Sequence, residues 1–370
     1  MQTMGAAWLM LRLNASPRMV ALVQTAMTLP IFLLVIPAGL VADRYSRRTI
    51  LLLTQIIMVF IALGLSSLVS LGAINAWRLL LGVFLLGCGV AIKMPIWQAA
   101  ISSLVEPQDI PNAAILNGIS FNFSRSVGPA LAGFLVSFGC MSSIFWINSL
   151  SLLGLALAFL KWRLTNKACD NSLSQPPERL QRAGLKLVLQ TKALRFLLLR
   201  VFLIFFGVSC LWSLFPAFAA LSLRMGSSSI GGQLGMIGVG GLIGGNLLPH
   251  LRNKWGIDHL TRLAAVILGA MLLLISLSLN RVFLWPVMMA TGVGWVFVVS
   301  GLNGVVQSMF PPGLRARAIS VYLMAMYAGS TIGSWSWGIL STHETMRGSF
   351  ASAGLMLVIC GFALKRWPIL

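Results

Sequence analysis

The chain has 370 residues, of which 58% are hydrophobic and only 9% charged, with a mean hydropathy of +0.91. A soluble domain carries about 25% charged residues, so this composition cannot build a water-facing surface, and lipid must be part of the solvent. The 27 Lys and Arg against 7 Asp and Glu give a net charge of +20. With no polar domain to present that charge, it belongs to the basic loops of a membrane protein rather than to a nucleic-acid interface.

About 20 apolar residues are needed to cross about 30 Å of hydrocarbon. The first apolar piece, Met1 to Leu13, reads MQTMGAAWLMLRL. At 1.5 Å per residue it reaches only about 20 Å. It has neither the basic start nor the small-residue cleavage site of a signal peptide, and it is expected to be the second half of a truncated helix. Eleven full spans follow, over 19–42, 49–71, 78–104, 114–138, 140–162, 196–220, 230–250, 260–279, 282–309, 319–340 and 349–364. The connections are short, as in helical bundles. One is long, residues 163–195, rich in charge and carrying Gln175-Pro176-Pro177. It is expected to be a central loop between two bundles, 1–162 and 196–370.

The basic residues orient the bundle. With the loop Asp43–Arg48 placed in the cytoplasm, eighteen basic residues fall inside and six outside, while Lys93, Arg125 and Arg200 lie within spans. That asymmetry satisfies the positive-inside rule and puts the central loop and the C-terminus in the cytoplasm. Five cysteines and three histidines are scattered, with no CxxC pair and no metal-ligand spacing. No cofactor and no metal site are expected.

The two parts repeat each other. A shift of 205 residues sets Pro107 on Pro312, Ala113 on Ala318, Gly128 on Gly333 and Gly133 on Gly338. Equivalent small residues in two six-helix halves point to an internal duplication.

The loop after the first full span reads GLVADRYSRR, Gly39 to Arg48. Gly39 permits close helix approach, Asp43 can accept hydrogen bonds from a neighbouring helix N-terminus or pair with an arginine, and Arg44, Arg47 and Arg48 hold the loop at the inner surface. This motif resembles the signature between helices 2 and 3 of the major facilitator superfamily. The stretches MQTMGAAWLMLRLNASPRMVALVQTAMTLPIFLLVIPAGLVADRYSRR and GWVFVVSGLNGVVQSMFPPGLRARAISVY resemble one subgroup, that of the enterobactin exporter and the transmembrane secretion effectors. The resemblance implies an all-α membrane protein of two six-helix bundles, with the first helix incomplete. It implies a secondary transporter that exports small amphiphilic molecules, siderophore- or drug-like, across the inner membrane by alternating access. A proton as coupling ion and a monomer are further implications. The motif Gly39, Asp43, Arg44, Arg47 and Arg48 would act as the conformational switch. The second copy of the signature is degenerate, with no acid between Gly245 and Gly256. The segment SRSVGPALAG, with Gly128, Pro129 and Gly133, resembles the fifth-helix motif of antiporters; an ordinary Gly/Pro kink is the plainer reading.

Charge inside a span is the default marker of a substrate or ion path. Lys93 and Arg125 are the two candidates. Asn117, Phe121, Asn122, Arg125 and Gly128 share one polar arc of their helix, expected to face a central cavity. Arg125 is equally suited to hydrogen-bond neighbouring backbone carbonyls. Gln24, Trp97, Asn303, Gln307 and Tyr322 are further cavity candidates or interhelical hydrogen bonders. Arg200, near a helix end, is expected to snorkel to the surface. None of Asp43, Glu106, Asp109, Asp170, Glu178, Asp258 and Glu344 lies deep in a span, so the expected cavity is cationic and its substrate anionic. A membrane-embedded enzyme is the weaker alternative, because no paired carboxylates and no nucleophile–base pair fall inside spans. A non-transporting truncated remnant is the other.

Overall fold

The computed structural model describes residues 1–14, 16–44, 46–104, 109–161, 192–278, 280–310 and 312–364, and within these the side chains of 39–44, 47, 98–104, 110–115, 117–119, 121, 122, 192 and 312–317 are not described. Most of the expected central loop, 163–195, lies outside the described residues.

Among the described residues twelve helices follow one another: α1 (Gln2–Leu13), α2 (Pro17–Arg44), α3 (Arg47–Ser70), α4 (Ala76–Leu104), α5 (Ile110–Ser137), α6 (Met141–Lys161), α7 (Lys192–Ala217, continued by a π-helical turn Phe218–Ser222), α8 (Ser227–Trp255), α9 (Ile257–Leu277), α10 (Leu284–Met309), α11 (Pro312–His343) and α12 (Met346–Ala363). Among the described residues, nine are long and apolar enough to cross a bilayer. At 28 and 32 residues, α5 and α11 have the length as well. α1 has 12 residues.

Local chemistry sets the ends. Ser46 caps α3 by accepting the Thr49 amide at 3.3 Å, and Thr345 caps α12 by accepting the Gly348 amide at 3.1 Å. Gly256, at φ +73°, makes the sharp break between α8 and α9, a conformation that costs glycine little. Prolines stand inside α2, α4, α5, α7 and α8, which a membrane bundle tolerates because neighbouring helices re-satisfy the freed carbonyls. Large apolar side chains such as Phe60, Trp77, Leu277 and Phe362 are about 70% exposed; lipid, not water, must cover them.

Packing follows the duplication. In the first half α2 packs on α4, and α3 on α6 and α4. In the second, α8 packs on α10, and α9 on α12 and α10. Each pair is repeated six helices later. The halves meet along two seams, α5 against α8 and α2 against α11.

The repeat glycines explain the seams. A Cβ at Gly133 would collide with the Ser227 carbonyl oxygen and lie 2.9 Å from the Gly231 Cα of α8, whereas one at Gly338 would lie 2.7 Å from Ala21 of α2. A Cβ at Gly128 would approach Met1, beside α1, while one at Gly333 would collide with Ser209 of α7. Each mate touches the helix that the duplication requires. Small residues let backbones approach where lipid offers no hydrophobic drive. The hydroxyls beside them add cross-half bonds: Ser126 Oγ donates to the Gly235 carbonyl at 2.9 Å, and its repeat mate Thr331 Oγ1 donates to Thr28 Oγ1 at 2.9 Å.

One expectation is corrected here. Arg200 does not snorkel: it is 0% exposed, its Nη1 meeting Asp258 Oδ1 at 2.7 Å and Thr261 Oγ1 at 3.2 Å and its Nη2 meeting the Leu364 carbonyl at 3.3 Å. Arg262 joins the same carboxylate at 3.2 Å. Asp258 opens α9, and a buried guanidinium with an acid in reach bonds it rather than stretching to the interface. This cluster ties α7, α9 and the end of α12 together.

Candidate functional site at the centre of the bundle

Arg125 lies in α5, in the first half. Its guanidinium carbon stands 4.4 Å from the ring centroid of Trp212 on α7 and 4.7 Å from that of Trp295 on α10. Both tryptophans belong to the second half. Their rings meet edge-on at 71° with centroids 5.7 Å apart, and Phe205 braces Trp295 edge-on at 5.3 Å. The planar cation therefore sits in a corner with an indole face on each of two sides. A desolvated cation–π contact contributes about 2 kcal/mol.

The three residues share a depth. Arg125 precedes Ser137 by about twelve residues, Trp212 precedes Ser222 by about ten, and Trp295 follows Leu284 by about eleven, so at 1.5 Å per residue all lie roughly 15–18 Å from the same end of the bundle. In a hydrocarbon core of about 30 Å that is the midplane.

Two tyrosines of α11 stand nearby. Tyr327 lies within electrostatic reach of Arg125 and of Tyr322, and its hydroxyl donates across the halves to Met94 Sδ at 3.8 Å. Tyr322 is buried and its hydroxyl faces the Val299 carbonyl at 3.5 Å.

The other sequence candidates go elsewhere. Lys93 donates to Gln55 Oε1 at 3.4 Å, and the fully buried Gln55 is itself fixed by donating to the Leu152 carbonyl at 2.8 Å. This puts the ammonium in the interface of α3, α4 and α6, within the first half. Trp97 lies against Phe159, the rings tilted at 48° with centroids 6.0 Å apart, in a small cluster of the same helices. Gln307 is exposed and bonds Asn303 one turn away at 2.8 Å. Gly128 and Gly133 serve the helix contacts given above, with Pro129 between them on α5. The side chains of Asn117, Phe121 and Asn122 lie outside the described residues, as do those of Asp43, Arg44 and Arg47. In the switch motif, Arg48 donates to the Leu160 carbonyl at 2.9 Å, tying the start of α3 to the end of α6. Among the described residues no group of His, Cys, Asp and Glu is arranged to hold a metal ion.

Sequence reasoning missed Trp212 and Trp295. A signal existed: tryptophan in spans gathers at the two interfaces, and these two stand mid-span.

The transmembrane secretion effector family, a branch of the major facilitator superfamily, matches residues 1–369. The chain belongs to that family. Its members are transporters, not enzymes, and the protein is a multi-pass membrane protein. The enterobactin exporter EntS of Shigella flexneri is 25% identical over 338 residues, 88% of this chain and 77% of that protein. The MFS-type transporter YfiS of Bacillus subtilis is 28% identical over 138 residues, so the chain spans 32% of that relative's length. A D-xylose–proton symporter superposes with a TM-score of 0.77 at 13% identity, covering 95% of this chain and 88% of that one. The likeness to the symporter shows the shared fold alone, an all-helical major facilitator architecture.

Proposed function

We propose that this transporter exports small amphiphilic molecules across the bacterial inner membrane by rocking its two bundles, 1–162 and 196–370, about the central site. The observation that carries this reading is the position of the cross-half contacts. Ser126–Gly235, Gly133–Gly231, Thr28–Thr331 and Gly338–Ala21 lie from the midplane toward one end, while Tyr327–Met94 lies just beyond the midplane on the other side. The basic residues are sparse at that end, so the positive-inside rule makes it the outer one. The four outer contacts suit a seal at that end, with Arg125 beneath it. Substrate enters from the cytoplasm in the sealed state and leaves when the seams part and the inner ends close. The motif Gly39 to Arg48 stands at the inner end and suits a latch for that second state. A monomer completes the machine, since both seams lie within one chain.

Similarity to the enterobactin exporter supports the outward direction. It also supports an amphiphilic cargo, and the cationic centre favours an anionic one. Proton coupling is the family's implication; it would show as loss of export when a protonophore collapses the gradient. The test of the function is retention of siderophores and amphiphilic drugs in an efflux-deficient bacterium expressing the chain. Lower retention of at least one anionic compound is expected, and unchanged retention of the whole panel despite verified membrane insertion would overturn the reading.

A further inference from the structure

Arg125 and the tryptophan corner have a chemistry more specific than positive charge. The Nε1 of Trp212 is buried and has no hydrogen-bond partner. Leaving such a donor unmet costs about 1–3 kcal/mol, so in a native structure it calls for an explanation. Beside it stands a guanidinium with five N–H donors and no acceptor, which can hold a protein contact and an anion at once. The guanidinium and the indole N–H are donors only, and the Tyr327 hydroxyl nearby gives its own proton to Met94 Sδ. The walls are aromatic: Trp212 and Trp295 meet at 71°, and Phe205 stands edge-on behind Trp295.

Resting on the central-site reading above, we propose that this corner is a binding site for planar aromatic anions such as aryl carboxylates. The carboxylate takes N–H donors from the Arg125 edge and from Trp212 Nε1, and the aromatic ring lies against Trp295. Each element answers a different part of the ligand. The guanidinium edge matches two carboxylate oxygens, the indole N–H removes the unmet donor, and offset or edge-on ring contact contributes about 0.5–1.5 kcal/mol beyond area. Because Arg125 belongs to one half and the tryptophans to the other, a ligand held in this way bridges the halves and senses their separation. Lys93 takes no part, since its ammonium is engaged with Gln55.

The test is calorimetric titration of the purified full chain in detergent with 1-naphthoate, its neutral isostere 1-naphthamide and the non-aromatic anion cyclohexanecarboxylate. Naphthoate should bind at least about ten-fold more tightly than either control. Trp212→Phe, which keeps an aromatic face and removes the N–H, should weaken naphthoate about five- to ten-fold and leave naphthamide within about two-fold. Arg125→Lys, which keeps the charge and loses the planar fork, should weaken naphthoate about ten-fold or more. An unchanged gel-filtration profile and melting temperature show that each variant is folded. Equal binding of naphthoate and naphthamide, or full naphthoate affinity in folded Trp212→Phe, overturns the inference. Export in cells separates the two readings: export that persists in Trp212→Phe with no preference among the probes sinks the site but leaves the transporter, whereas no export by the parent chain sinks the transporter.

Discussion

The two halves carry the same scaffold and different centres. At the seams, the shift of 205 residues sends each small residue to one with the equivalent neighbour helix of the other half: Gly133 on α8 and Gly338 on α2, Ser126 on α8 and Thr331 on α2. Gly87 and Gly292, also mates, face backbone of α2 and α8. At the centre the same shift finds no likeness. Arg125 falls on Ser330, Trp212 on Ala7 and Trp295 on Val90. One half supplies the cation and the other the aromatic walls. Close backbone contact allows only small residues, whichever half supplies them, so the seams stayed symmetric. A ligand without two-fold symmetry makes no such demand, so the centre was free to diverge. The charged cluster Arg200–Asp258–Arg262 is a second asymmetry, since the mate of Asp258 is Leu53, exposed on α3.

The sharpest way to break this comparison is to attack what only the second half has. Asp258→Ala strands the buried Arg200 and should destabilise by about 3–5 kcal/mol, read as a lower melting temperature in detergent; an unchanged melt would mean that the cluster adds nothing. Next come the seam mates. Gly133→Val and Gly338→Val should each cost about 1–3 kcal/mol through overpacking and lower export. Gly133→Val should be the worse, because it meets backbone of Ser227 and Gly231 while Gly338→Val meets the Ala21 methyl; the opposite order in melting temperature would contradict the seam geometry. The double exchange Arg125→Ser with Ser330→Arg keeps net charge but moves the cation away from the tryptophans. Naphthoate affinity should fall about ten-fold or more by calorimetry, and retained affinity would show that charge alone is read. Smallest is Lys93→Met. It removes one hydrogen bond to Gln55, worth about 1 kcal/mol, and should leave export of anionic compounds within about two-fold in the retention assay. A large loss would put Lys93 in the site after all.

Much of this was legible beforehand. The spans were, because the bilayer imposes a length that apolar runs must meet; 49–71 and 140–162 correspond to α3 (Arg47–Ser70) and α6 (Met141–Lys161). The duplication was legible through four matches, two of glycine, one of proline and one of alanine. The roles of Lys93 and Arg200 were not. Both look alike as lone charges in apolar helices, and only the neighbours of each, Gln55 for one and Asp258 for the other, say where its charge is spent. The tryptophans hid for the same reason, as two of 12 in the chain.

By itself the sequence determined the solvent, the apolar spans, the repeat and the family, because hydrocarbon thickness, backbone satisfaction and close packing act on composition and spacing one helix at a time. Tertiary structure alone decided which charges meet, since Arg125, Trp212 and Trp295 come from three helices and two halves, and a contact between residues so far apart in the chain leaves no local pattern to read.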